Sequence, residues 1–279
     1  MKKWIGLVVW FCCALSVAQA KPGDQPVFFK LEAQGHTAWL LGSIHVGEAS
    51  FYPLPEQIEA AFTQATSLAL EADPNDPNSQ ALVMAHALAK GALPKALAKD
   101  LEAYCGQLGI PCDQRLAPWL LSAQIAMSQM SAAGYYPVHG IEAHLLQRWR
   151  GNVLELEGME RQLTIFASLS DTAQHEMLAA ALVGQDDEFE QLIRAWRQGD
   201  KEALAEQMKE GMAGSPELWQ KLMVDRNQDM AAILGQWLGQ YDQMFVVIGA
   251  GHLVGQGSIP QLLQQQGIAI TDCWQQRCQ

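Results

Sequence analysis

The sequence has 279 residues, with 18 lysines and arginines against 30 aspartates and glutamates, so its formal charge is -12 at neutral pH. This balance argues against a nucleic-acid-binding protein, because neutralising phosphates requires clustered basic side chains. A hydrophobic fraction of 49% with only 17% charged residues excludes a disordered chain, and the length allows one large domain or two small ones.

The first 20 residues have the features of a secretory signal peptide. Lys2 and Lys3 form a basic start, an apolar run follows, and a small-x-small pattern ends at Ala20. Cleavage after Ala20 leaves 259 residues with 16 basic and 30 acidic side chains, a net charge of -14. We therefore expect a bacterial periplasmic or secreted protein with no stable membrane span after cleavage.

Four cysteines remain in the mature chain, and they fall into two close pairs. Cys105 is near Cys112 in sequence, and Cys273 is near Cys278. An even number of cysteines in an oxidising compartment predicts two disulfides, each closing a short loop. A zinc site is the alternative, but neither pair has the C-x-x-C spacing or a nearby histidine.

Along the chain, a few short strands alternate with long helical stretches, and a Gln34-Gly35 turn joins the first two strands. Strands are predicted at 27–33, 37–42, 67–71, 152–156, 244–248 and 268–272, and helical stretches at 55–65, 79–130, 140–150, 159–238 and 258–266. Strands that are apolar on both faces favour a sheet covered by helices. The fold class is α/β or α+β: a short central mixed sheet flanked by helices, with a long helical insertion, in one domain over 21–279.

One pattern occurs twice: a strand, a Gly-x-x-His segment, a helix and a second strand. Gly42 and His45 belong to the first unit, and Gly249 and His252 to the second. Each glycine would allow a sharp turn at the carboxyl end of a strand, where ligands gather in open α/β sheets. If the two strands are neighbours, the histidines converge. Glu71 ends a buried strand, where a carboxylate needs a partner.

Further polar residues complete the pattern. Glu155 and Glu157 would lie on one face of a strand, and Arg226-Asn227 occurs late in the helical insertion. Each of these residue types is common on a solvated surface, so none of them indicates a site by itself.

Together these motifs resemble the TraB/GumN family, which includes the animal TIKI proteins. The resemblance runs over residues 26–273 and rests on Gly-Ser-Ile-His45, Gly-Ala-Gly-His252, Leu-Glu71, Leu-Glu-Leu-Glu157 and Asp-Arg-Asn227. It implies an α/β core shared with erythromycin-esterase-like and ChaN-like proteins. From the TIKI relatives it also implies metal-dependent peptidase activity. Glu142 departs conservatively from the family pattern, since an aspartate is common there.

Two imidazoles and one carboxylate can form an open site for a divalent metal. In this scheme His45, Glu71 and His252 are the ligands, and Mn, Co or Zn suits them better than Ca. A bound metal would lower the pKa of its water and polarise a carbonyl group. A metal-free alternative uses His45 as a general base on water, steered by Glu71. The sequence leaves both open.

The remaining candidates have supporting roles. Glu155 or Glu157 could be a further ligand, a general base or a group that orients a histidine. Arg226 could stabilise a developing oxyanion, and Asn227 could position substrate. We expect a hydrolase that cuts a peptide or another small substrate. The alternative function is a non-catalytic binding or regulatory protein that sequesters a peptide or haem. The sequence does not indicate an oligomeric state.

Overall fold

The computed structural model describes residues 23–109, 112–183 and 186–278. The predicted signal peptide, residues 1–20, lies outside the described residues. Six strands form the central sheet: β1 (Phe28–Ala33), β2 (His36–Ser43), β3 (Ser67–Leu70), β4 (Val153–Glu155), β5 (Met244–Gly249) and β6 (Ala269–Asp272). The six predicted strands and the Gln34-Gly35 hairpin are confirmed, with bounds that differ by one or two residues.

The sheet is mixed, and its strand order is β4-β3-β5-β2-β1-β6. β5 lies in the middle and pairs in parallel with both β2 and β3, while β4 pairs in parallel with β3 at one edge. β1 pairs antiparallel with β2 and with β6. The predicted mixed α/β sheet is therefore confirmed, and the strands of the two Gly-x-x-His units are direct neighbours.

The helices flank the sheet or form the long segments between strands. The first unit contains α1 (Glu56–Gln64), and the second contains α12 (Ile259–Gln265). Helices between β3 and β4 are α2 (Ser79–His86), α3 (Lys95–Leu108), α4 (Pro118–Ala132) and α5 (Ile141–Arg148). Helices between β4 and β5 are α6 (Met159–Ser168), α7 (Asp171–Val183), α8 (Asp186–Gln198), α9 (Lys201–Gly211), α10 (Pro216–Trp219) and α11 (Asp225–Trp237).

The main hydrophobic core lies on the sheet, where the central strand is buried on both faces. Phe245 of β5 packs against the rings of Phe28 and Phe62, with ring centroids 6.3 and 5.4 Å away. Smaller apolar clusters lie within the helical segments, for example around Leu101 and Leu178 between α3 and α7. Because sheet and insertion keep separate clusters, the single-domain organisation stays a prediction.

Both predicted disulfides are present. Cys105 at the end of α3 is bonded to Cys112, and Cys273 after β6 is bonded to Cys278. Disulfides persist in oxidising compartments, so the pairs are consistent with an extracytoplasmic location. Among the described residues, no helix combines the length and apolar character needed to cross a membrane.

The central strand offers a direct test of the core. Replacing Phe245 by alanine removes a fully buried ring between two others, so we expect the free energy of unfolding to fall by about 3–5 kcal/mol. Val183→Ala is the control, because Val183 is 86% exposed and its loss should cost less than about 0.5 kcal/mol. Urea denaturation of both variants measures the difference, and equal midpoints would contradict this core assignment.

Candidate functional site

The parallel pairing of β2 and β5 brings the two Gly-x-x-His segments together. Gly42 lies opposite Ile248, and Ser43 lies opposite Gly249, so the carboxyl ends of the two strands lie side by side. His45 follows β2 by two residues, and His252 lies in a short 3-10 turn that follows β5 directly. Ligand sites of open α/β sheets form at the carboxyl ends of the strands.

A small notch above Gly249 is the point where the polar side chains meet. A methyl group placed on its Cα would lie 3.2 Å from Glu71 Oε1, 3.7 Å from His252 Cδ2 and 3.9 Å from His45 Nε2. Three predicted site residues, distant in sequence, therefore lie within 4 Å of one point above Gly249.

Both motif glycines serve close packing, and neither turns the chain through the left-handed conformations that glycine favours. Gly249 has φ -48° and ψ 131°, which any residue can adopt, and Gly42 is not among the glycines with positive φ. A methyl on Gly42 would lie 3.2 Å from Ala250 and from Val27, so Gly42 lets these segments approach. The Gly42 carbonyl also accepts a hydrogen bond from Trp196 Nε1 at 2.8 Å.

His252 is buried, and its ring is held in one tautomer. Asn227 Nδ2 donates to the Gly257 carbonyl at 2.9 Å, which turns the Asn227 Oδ1 toward His252. His252 Nδ1 lies 2.6 Å from that oxygen and donates to it, so Nε2 is the nitrogen that keeps its lone pair. Burial, aided by the positive charge of Arg226, lowers the pKa of His252 to about 4. The ring is therefore neutral at pH 7.

His45 has the opposite environment. Its side chain is 69% exposed, and Nδ1 lies 3.0 Å from Glu142 Oε1. The same carboxylate oxygen accepts a hydrogen bond from the buried Ser43 hydroxyl at 2.5 Å. The negative charge of Glu142 raises the pKa of His45 above its ordinary value and favours the imidazolium, in which both ring nitrogens carry protons.

A buried ion cluster lies beside the notch, and Arg226 is its centre. Its Nη2 donates to Glu71 Oε2 at 2.5 Å and to Glu157 Oε2 at 2.7 Å, and its Nε lies 3.0 Å from Glu157 Oε2. Gln162 Nε2 donates to both carboxylates, at 3.0 and 3.1 Å. The Glu157 side chain is 0% exposed and that of Arg226 is 12% exposed. The guanidinium therefore neutralises two carboxylates that water barely reaches.

Glu71 joins this ion cluster to the notch. Its Oε2 faces Arg226, while Oε1 accepts a hydrogen bond from the Gly249 amide at 2.6 Å. Burial alone would raise the pKa of Glu71, but the cationic form of His252, the positive charges of Arg226 and His45, and the Gly249 amide lower it to about 2. The carboxyl group is ionised throughout the physiological range.

Arg226 and Asn227 are consecutive in α11, yet one reaches the carboxylates and the other reaches His252. A π-helical turn, Gln220–Val224, directly precedes α11. Such turns insert an extra residue into a helix and are frequent at functional sites. One residue, Asp225, separates this turn from Arg226 and Asn227, so the turn helps to set the direction from which both side chains approach the sheet.

The donor set only partly suits the expected metal. His45 directs Nε2 toward the notch, and His252 directs the ring edge that contains Cδ2. Both rings keep Nδ1 on an oxygen acceptor, as metal-binding histidines do. However, Glu71 Oε2 is occupied by Arg226. Within the ranges that the structure describes, no group of three or more His, Cys, Asp or Glu side chains is close enough to hold a metal ion. The residues as arranged therefore do not form a three-ligand site, and the metal stays a prediction from sequence.

The site differs from the sequence expectation at several positions. Glu155 does not join the cluster, because its Oε2 accepts a hydrogen bond from the Asp73 amide at 2.8 Å. Gln162 does join the cluster, and Glu142 pairs with His45, although neither had a predicted role. Gln162 lies on α6 and is close to Glu157 in the sequence. Glu142 lies at the start of α5, far from both histidines along the chain, and no spacing signal connects it to His45.

A family model decides the membership of this chain. The model of the TraB/PrgY/gumN family matches residues 27–272, which include all strands and every residue of the site. The chain belongs to this family. The resemblance inferred from the paired Gly-x-x-His motifs is thereby confirmed.

Relatives of this TraB/PrgY/gumN protein include YbaP of Escherichia coli and YbaP of Shigella flexneri, both described as uncharacterized proteins. Each is 27% identical over 245 residues, covering 81% of this chain and 87% of the relative. No solved structure matches the chain significantly. The comparisons therefore assign a family without assigning a reaction.

The buried guanidinium can be tested by a matched pair of variants. Arg226→Met leaves Glu71 and Glu157 without their cation, so we expect the free energy of unfolding to fall by about 3–5 kcal/mol. Arg115→Met removes an exposed guanidinium paired with Asp113, where water screens the ion pair and the expected loss is much smaller. Chemical denaturation at pH 7 compares the two, and similar losses would count against the ion cluster.

The same cluster predicts a dependence on pH. The pKa of Glu71 is lower in the folded chain than its ordinary value of 4.5, so its ionised form stabilises the fold above pH 4.5. This contribution is lost as the pH falls from 4.5 toward 2. In Glu71→Gln the stability of the folded chain should therefore decline less steeply over that range, as thermal melts at a series of pH values would measure.

Proposed function

We propose that this protein is an exported hydrolase that cleaves an amide bond in a peptide, with His45 and His252 as its catalytic residues. The single observation that carries the proposal is the meeting of the two rings at Gly249 in opposite electrostatic environments. Two titratable groups whose pKa values are driven apart beside one cavity provide an acid and a base at the same pH.

His252 is suited to act as the general base. Its Nε2 keeps a lone pair at neutral pH because Nδ1 donates to Asn227 and burial disfavours the charged ring. A water molecule in the notch would give its proton to this nitrogen as its oxygen bonds to the substrate carbonyl carbon. The proton then passes from His252 to the leaving nitrogen as the carbon–nitrogen bond breaks.

His45 and Arg226 are suited to stabilise the oxyanion. The imidazolium of His45 carries a proton on Nε2, which lies on the notch side, while Nδ1 donates to Glu142. Arg226 uses Nε and Nη2 on the two carboxylates, and its Nη1 has no hydrogen-bond partner among the described residues. Donors fixed before the reaction lower the barrier most when charge develops beside them.

This scheme differs from both of the sequence-based ones. Glu71 binds Arg226 and the Gly249 amide, so it supports the cluster and does not steer His45. The predicted metal is an alternative to this scheme: it would lower the pKa of the attacking water, and His252 together with His45, once its Nε2 proton is lost, are the residues that would hold it. The periplasmic location is supported by the signal-like start and by the two disulfides.

The proposal is tested with the mature chain and a library of internally quenched peptides. His45→Ala and His252→Ala should each lower the rate of hydrolysis by about 100-fold or more. His86→Ala on α2 is the control and should leave the rate unchanged. Each assay is run after chelation and again with Mn, Co or Zn, so that activity only with one of these ions would support the predicted metal.

Unchanged rates in both histidine variants would overturn the assignment of the two residues. Peptide binding without turnover under every metal condition would favour the alternative, a protein that binds or sequesters its ligand.

A second test fills the notch without replacing a polar side chain. Gly249→Ala keeps allowed backbone angles, but its methyl would lie 3.2 Å from Glu71 Oε1 and occupy the space that the water needs. We expect hydrolysis to fall at least 10-fold while the melting temperature changes little. Gly91→Ala is the matched control, because a methyl there meets no atom within 4 Å. Full activity of Gly249→Ala would rule out this notch as the site of water attack.

A further inference from the structure

A groove of about 910 Å³ lies on the outer side of the ion cluster and is not used by the proposed chemistry. Its lining includes the acidic residues Asp76, Glu155, Glu157 and Glu160, together with the apolar residues Leu82 and Met159. We call it the acidic groove. Its volume is within the range of ligand-binding clefts, and its lining mixes apolar contact with charge.

The charge of the acidic groove is strongly one-sided. Among the described residues, Asp76, Glu155 and Glu160 have no salt-bridge partner, and Glu157 is bound by Arg226. Arg161 is the one basic residue of the lining, and its guanidinium is directed to Asp229 and to Glu157. A ligand in the groove therefore meets the carboxylates of Asp76, Glu155 and Glu160, whose charge no cation of the described residues cancels.

The open edge of the sheet reaches the acidic groove at Glu155, the last residue of β4. Among the described residues, β4 pairs with β3 alone and ends the strand order. Leu156 N donates to Leu70 O, so in this parallel ladder Val153 and Glu155 turn their N–H and C=O groups away from β3. An edge of this kind can accept a further extended strand.

The acidic groove is linked to the site by the chain segment that follows β4. Glu157 and Gly158 belong to the lining of the groove, and their amides donate to the Glu71 carbonyl at 2.8 and 3.0 Å. A chain lying along β4 would therefore run toward the carboxyl end of β3, where Glu71 adjoins the notch.

We propose that the acidic groove binds an extended peptide segment that pairs with the edge of β4 and carries lysine or arginine at alternate positions. The inference rests on the proposed function in one respect, since the segment would belong to the substrate that is cleaved at the notch. Side chains two residues apart lie on the same face of a strand, so alternate cations meet the groove carboxylates together. The same carboxylates repel anionic peptides.

Binding is measured on the mature chain carrying His252→Ala, so that turnover does not interfere. The probe is a fluorescein-labelled heptapeptide of alternating valine and lysine. We expect its lysine-acetylated form to bind at least 10-fold more weakly, and the affinity of the unmodified probe to fall as ionic strength rises. Methylation of the backbone amides at alternate positions should weaken binding in one register and not in the other, because only one set faces β4.

Variants then locate the binding. Asp76→Asn with Glu160→Gln should weaken the lysine probe by about 5-fold or more, since both lost charges line the acidic groove. Glu32→Gln is the control, because Glu32 lies on β1, four strands away from β4 in the sheet order. Equal affinity for the lysine and acetyl-lysine probes, an unchanged affinity in the groove variant, or insensitivity to both methylation registers would each overturn the proposal.

The outcome is separable from that of the proposed function. A wild-type chain that binds the lysine probe in the acidic groove but hydrolyses no peptide would defeat the hydrolase proposal alone. A chain that hydrolyses neutral and acidic peptides as well as basic ones, without binding the probe at the groove, would defeat only the present inference.

Discussion

The pairing of Arg226 with two buried carboxylates is the interaction on which the rest of the site depends. Glu71 follows β3, Glu157 follows the edge strand β4, and Arg226 lies on α11, much later in the chain. Removing one partner of such a cluster leaves a charge that water cannot solvate, so the three segments are fixed to one another. Asn227, next to Arg226, transmits the same constraint to His252.

The two histidines show that one residue type can have different protonation states at the carboxyl ends of two neighbouring strands. His252 is enclosed and hydrogen-bonded to a neutral amide, which favours the uncharged ring. His45 is exposed and faces the Glu142 carboxylate, which favours the charged ring. The difference arises from the partner of Nδ1 and from access to water, not from the shared Gly-x-x-His motif.

Much of the fold could be predicted from particular residues. Apolar runs such as Phe245–Ile248 indicate buried strands, and prolines and glycines mark the helix limits, because these are local preferences of the chain. The repeated Gly-x-x-His units also identified His45, Glu71 and His252. In contrast, no local pattern indicated the roles of Glu142 and Gln162, since these roles depend on segments that meet only in the folded chain.

The sequence by itself determined the class of fold, the two disulfide pairs, the family and the principal polar residues, because each of these follows from short-range patterns or fixed motif order. Only the tertiary structure decided which charges are neighbours. It placed Arg226 on Glu71 and Glu157, gave Glu142 to His45, and left Glu155 outside the cluster. Electrostatic interactions act through space over a few ångströms, and the separations of 69 and 155 residues between Arg226 and its two partners leave no local signal in the chain.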